Sequence, residues 1–230
     1  MSKLIKIGTR GSKLALWQAY YVEELLQKNG LETEIVIIDT KGDQVLDVSI
    51  SKIGSKGVFT QELEDQLSDG RIDIAVHSAK DMQSNLPEGF EIIAFTERET
   101  ENDVIASSKN DISISDPSKP LVLGTSSTIR VATLKHFYPH VKTVEVRGNL
   151  QTRIRKMEEG LCDALLLAYA GVHRMGYDDM IVEKLKLEEF TPAVGQGSVA
   201  IEVSRNLNPE TRNQIIKACN HPETEKKLRA

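Results

Sequence analysis

Arg10 and Ser12 fall in the turn Gly8-Thr9-Arg10-Gly11-Ser12, and Ser78, Lys80 and Asp81 follow an apolar run in His77-Ser78-Ala79-Lys80-Asp81. Farther along, Thr125, Ser126, Ser127 and Arg130 surround a helix start. Arg147-Gly148-Asn149 precedes a segment carrying Arg153, and Arg174 follows another apolar run. Lys52 and Lys56 flank a Gly-rich stretch whose glycines do not match the GxxxxGK[ST] phosphate loop. Guanidinium groups pair with carboxylates through two parallel hydrogen bonds, and helix N-termini offer free N–H groups to anions. Together these residues predict a site for a small molecule bearing several carboxylates, with phosphate the competing anion. Asp81 is the odd member, since a carboxylate adds nothing to anion binding. It is suited to stabilising a positive charge that develops on the substrate, or to passing a proton to a leaving group. A surface pair with Lys80 is the structural alternative, as helix capping is for Ser12 and for Thr125–Ser127.

The elements that would position these groups read as repeated βα units. Residues 4–8, 33–39 and 72–77 read as strands, and 12–29 and 59–69 as helices, the second stopped by Gly70. The pattern recurs in the second half. Residues 121–128 repeat the strand–Gly–Thr–turn of 5–12, a helix spans 150–160, and 163–168 is again a strand. Gly70 and Asp73 are matched by Gly160 and Asp163 at the same spacing. This predicts two similar α/β domains with doubly wound parallel sheets, chance likeness of two βα units being the alternative. The expected limits are 1–97 plus 197–217 for the first domain and 103–192 for the second, with 218–230 a trailing stub. Residues 96–103 suit a hinge. If strand 198–203 returns to the first sheet, the chain crosses twice and a cleft lies between the domains, at the carboxyl ends of the strands.

Composition narrows the class. The 230 residues are 40% hydrophobic and 27% charged, ordinary for a globular protein. The net charge of −5 argues against nucleic acid as a partner. The longest apolar runs, such as 164–168, fall far short of the roughly 20 residues a membrane span needs. The N-terminus lacks a secretory pattern, so a cytoplasmic protein is expected, and a monomer. Cys162 and Cys219 form no metal-binding pattern, so no metal is expected.

The motifs IGTRGSKLALWQA (7–19), TKGD (40–43), KIGSKGVFTQELE (52–64), DIAVHSAKD (73–81), GTSS (124–127), VRGNLQTR (146–153) and PAVGQG (192–197) resemble the porphobilinogen deaminase family over the whole chain. The resemblance implies a transferase of tetrapyrrole and haem biosynthesis, condensing four porphobilinogen molecules into hydroxymethylbilane with release of ammonia. It implies two domains like a type II periplasmic binding protein. Asp81 would be the catalytic carboxylate. Arg10, Ser12, Lys80, Arg130, Arg147, Arg153 and Arg174 would hold acetate and propionate groups. Gln18, Lys52, Lys56, Ser78, Thr125, Ser126, Ser127, Gly148 and Gln196 would fall at further cleft positions, with Lys56 on a mobile loop. The family's dipyrromethane cofactor is bound by a thioether to a cysteine in a GGC loop of a third domain. Neither cysteine here matches it, and 220–230 resembles the run leading into that domain. These 230 residues alone are therefore expected to bind no covalent cofactor and to show negligible turnover. Two departures stand out: Ile129 where the family has an arginine, and Gln83 where it has a proline. A non-catalytic binding protein for a solute, small anion or pyrrole is the rival expectation, and the sensing half of a regulator a weaker one.

Overall fold

Two five-stranded sheets with the same strand order organise the computed structural model, which describes residues 4–40 and 60–229. One unit comprises Met1–Glu99 and Val194–Ala230, the other Thr100–Ala193.

In the first unit β1 (Ile5–Arg10) pairs in parallel with β2 (Thr33–Ile38) and β3 (Ile74–Ser78). The strands numbered β4 (Phe90–Phe95) and β10 (Val199–Ser204) complete the order β2-β1-β3-β10-β4. Alternation sends side chains of each strand to opposite faces. Ile5, Ile7, Ile74 and Val76 pack with Ala19, Val22 and Leu26 of α1 (Lys13–Lys28) and with Ile215 of the later helix Pro209–Cys219. On the other face Ile38, Ile72 and Ala75 meet Leu63 and Leu67 of α2 (Gln61–Ser68). Helices on both faces explain why these strands read as near-continuous apolar runs. The final residues pack here too. The Phe95 N–H donates to Asn220 Oδ1 and the His221 N–H donates to the Phe95 carbonyl, tying the tail to the edge strand β4.

The second unit repeats the plan with β5 (Asp103–Ala106), β6 (Val122–Gly124), β7 (Lys142–Val144), β8 (Ala164–Ala168) and β9 (Ile181–Lys184) in the order β7-β6-β8-β5-β9. Its faces are covered by α3 (Thr128–Phe137), contributing Leu134, and by α4 (Leu150–Glu158) and α5 (Tyr169–Arg174), contributing Ile154, Met157 and Val172. The helices Pro209–Cys219 and Pro222–Arg229 are α6 and α7.

The sheets are mixed rather than wholly parallel. β10 runs antiparallel to β3 and β4, and β5 antiparallel to β8 and β9. Each reversed strand follows directly on a passage of the chain between the units, so it enters its sheet without the crossover helix that a parallel neighbour requires. An apolar run specifies a strand but not its direction.

The repeated glycine and aspartate have the same job in both units. Gly70 and Gly160 follow α2 and α4 with φ of 68° and 89°, the left-handed conformation that ends a helix with least strain in glycine. Three residues later the aspartate side chain clasps the neighbouring strand. The Lys6 N–H donates to Asp73 Oδ2 and the Val122 N–H to Asp163 Oδ2, each at 3.0 Å.

Candidate active site

The end of β3 and the approach to β10 build one constellation inside the first unit. After Ser78 the chain makes a single 3₁₀ turn, Ala79–Asp81. The Ala79 N–H donates to the Ser198 carbonyl, and the Met82 N–H closes the turn on the Ala79 carbonyl. Gln18, buried on α1, donates from Nε2 to Ser78 Oγ at 2.8 Å. Lys80 Nζ donates to Oε1 of the buried Gln196 at 3.5 Å, while Arg98 Nε donates to the Gln196 carbonyl at 2.7 Å. Gly195 makes this approach possible: its φ is +79°, and a Cβ there would stand 2.8 Å from the Ala79 carbonyl carbon. Asp81 is left exposed at the tip. Gln18, Ser78, Lys80, Asp81 and Gln196 are thus brought together. Arg10 ends the neighbouring strand β1, half-buried, and Ser12 caps α1 by accepting from the Ala15 N–H.

In the second unit the hydroxyl groups gather after β6. Thr125 Oγ1 accepts from the Ser127 N–H, and Ser127 Oγ caps α3 by accepting from the Arg130 N–H. Thr125, Ser127, Val131, Lys135, Thr143 and Glu145 line a concavity of about 400 Å³. That volume lies in the range of small-molecule sites. Arg130 faces elsewhere. Its guanidinium forks onto Asp103, with Nε to Oδ2 at 2.8 Å and Nη2 to Oδ1 at 2.6 Å, and its Nη1 donates to the Leu166 carbonyl. Arg147 pairs with Glu145, and Arg153 Nε donates to the Gly148 carbonyl. Gly148 precedes Asn149, which caps α4. Ser126 and Arg174, at the end of α5, are half-buried. Lys52 and Lys56 lie outside the described residues.

Several pairings that chemistry could use escape a sequence reading, although His77 itself falls in the 73–81 motif. His77 and Glu202 form a buried pair at 2.9 Å. Glu64 is buried beside them, and that burial pushes its carboxyl above the ordinary carboxylate range. Asp103 and Arg98, which hold site residues, carry no motif signal. The thiols are protected: burial raises Cys162 and pushes Cys219 up to about 12. A thiolate is the nucleophilic form, so neither side chain fits a thioether to a cofactor. Cations and hydroxyl groups are the donor types that bind carboxylates. Among the described residues no helix is long and apolar enough to cross a membrane.

Comparison with known families decides the relationship. Residues 5–212 match the model described as porphobilinogen deaminase, dipyromethane cofactor binding domain. The chain belongs to the porphobilinogen deaminase family. The porphobilinogen deaminase of Desulfosudis oleivorans is 59% identical over 221 residues, covering 96% of this chain and 71% of that protein. That of Cytophaga hutchinsonii is 61% identical over 225 residues, covering 98% and 72%. Solved structures extend the likeness of fold. The Bordetella pertussis BvgS VFT2 domain aligns with a TM-score of 0.54 at 16% identity, over 98% of this chain and 92% of its own. A nutrient binding protein from Burkholderia cenocepacia bound to methionine gives 0.55 at 12% identity, over 96% and 94%. The fold is therefore that of type II periplasmic binding proteins, on which the family carries its own residues. Ile129 is exposed at the start of α3.

Proposed function

We propose that this chain performs the catalytic work of a porphobilinogen deaminase, a transferase joining four porphobilinogen molecules into hydroxymethylbilane with one ammonia released at each condensation. Asp81 supports this reading best: it is an exposed carboxylate on a turn fixed by a buried glutamine and flanked by Lys80. Loss of the aminomethyl nitrogen leaves positive charge on the pyrrole. A carboxylate at that point stabilises the cation, and an adjacent proton carrier lets nitrogen depart as ammonia. Arg10, Ser12, Lys80, Arg147, Arg153 and Arg174 would hold the acetate and propionate groups. Arg130 would join them with the N–H groups that its fork onto Asp103 leaves over. Dipyrromethane, when bound, supplies the primer to which pyrroles are added, its carboxylates suited to the same cations. The protein would act in the cytoplasm as a monomer on a small molecule, without nucleic acid or membrane partners.

Ammonia and hydroxymethylbilane formation by the protein purified from its source tests the assignment. Asp81→Ala should lower turnover by about 100-fold or more, with porphobilinogen binding retained. Full turnover in that variant would remove Asp81 from the chemistry. The burial of both thiols favours a second reading, binding of pyrroles without turnover.

A further inference from the structure

The sheet beneath the Lys80–Asp81 turn contains a charged group of residues that the proposed chemistry does not use. His77 is 7% exposed and Glu202 0%, and their side chains meet at 2.9 Å. A carboxylate offers only lone pairs, so the ring N–H donates to Glu202 Oε2. The two residues occupy adjacent antiparallel strands. Ala200 stands opposite His77 and Glu202 opposite Ala75, so the pair reaches diagonally across one face of the sheet. α2 covers that face and adds Glu64, which is 2% exposed. Among the described residues one oxygen of Glu202 and one of Glu64 has no hydrogen-bond partner. Burying incompletely bonded carboxyl groups costs stability, and an apolar pair of similar volume would pack there without that cost.

Their place in the two strands gives the group a purpose. His77 is followed directly by Ser78, Lys80 and Asp81, and β10 is preceded directly by Gly195, Gln196 and Ser198. The pair therefore ties β3, one residue before its end, to the middle of β10, the two strands from which the halves of the constellation leave the sheet. We propose that His77 and Glu202 are positioning residues that hold the Lys80–Asp81 turn against the 195–198 segment, so that Asp81 is presented to substrate. The identity of that substrate rests on the function proposed above.

The test replaces the pair by apolar residues, which removes the tie without leaving either partner of the pair buried alone. His77→Leu combined with Glu202→Met should fold with a melting temperature at or above that of the parent. Amide exchange at Ala79 and Met82 should nevertheless quicken by about tenfold, and the affinity for porphobilinogen, measured by calorimetry, should fall by roughly tenfold. His77→Gln, whose amide N–H can still donate to Glu202, should keep both properties within about threefold of the parent. An apolar pair that matches the parent in exchange and in affinity overturns the proposal. If the parent itself fails to bind porphobilinogen, the function proposed above fails, and exchange alone decides the positioning role. Faster exchange at Ala79 and Met82 then supports it, and unchanged exchange overturns it.

Discussion

Asp163 and Val122 hold each other twice: the Val122 N–H donates to Asp163 Oδ2 at 3.0 Å, and the Asp163 N–H donates to the Val122 carbonyl at 2.9 Å. Asp73 and Lys6 make the same two bonds in the first unit. The clasp joins β1 to the start of β3 in the first unit and β6 to the start of β8 in the second.

Removing the acceptor should therefore loosen the second unit. Asp163→Ala leaves the Val122 N–H without its partner, and should cost about 1–3 kcal/mol by chemical denaturation. Asp163→Asn keeps an acceptor oxygen and should cost less.

The same aspartate makes a prediction about acid. The hydrogen bond from Lys109 and the Val122 N–H hold its carboxyl below the ordinary value. Its contribution to stability is thus complete above the unfolded value, about pH 4, and is lost as pH falls through the lower folded value. The difference in stability between the parent and Asp163→Asn should shrink below pH 4, which an acid titration followed by circular dichroism can measure.

Arg130 and Asp103 form a mostly buried fork. Asp103→Ala should lower the stability of the second unit by about 3–5 kcal/mol, because the guanidinium is left without its counter-charge. Arg130→Lys should recover only part of this, since an ammonium cannot make the two parallel bonds. Calorimetric unfolding of the variants checks both statements.

Gly195→Ala should damage the site more than the fold. A Cβ there meets the backbone of Ala79 and Lys80, and the positive φ adds strain. Porphobilinogen affinity should drop while the core helices α1 and α6 keep their protection in hydrogen exchange. Unchanged affinity would mean that the 78–81 turn does not contact substrate.

Both thiols should resist alkylation while the protein is folded. With its value raised to about 12, Cys219 holds almost no thiolate at pH 8, and burial blocks access to it and to Cys162. Mass spectrometry should find neither cysteine modified by iodoacetamide until denaturant is added. The same reasoning predicts no pyrrole adduct on Cys162 or Cys219 after incubation with porphobilinogen.

Local chemistry made much of this protein legible from its sequence. The apolar period of 12–29 corresponds to α1 at Lys13–Lys28, and Gly160 closes the helix read at 150–160. The match of Gly70 and Asp73 with Gly160 and Asp163 expresses one fold used twice, because the helix stop and the strand clasp each depend on a single residue type. Motif spacing carried the family and marked Asp81, Lys80 and Gln196. Tertiary structure alone decided the direction of β5 and β10, since a strand fully covered on both faces has the same apolar pattern whichever way it runs. It also decided the partners of the charged groups. Arg130 finds Asp103 across 27 residues and His77 finds Glu202 across 125. Such pairs follow from which strands lie side by side, and that adjacency comes from packing the whole sheet rather than from any local run of residues.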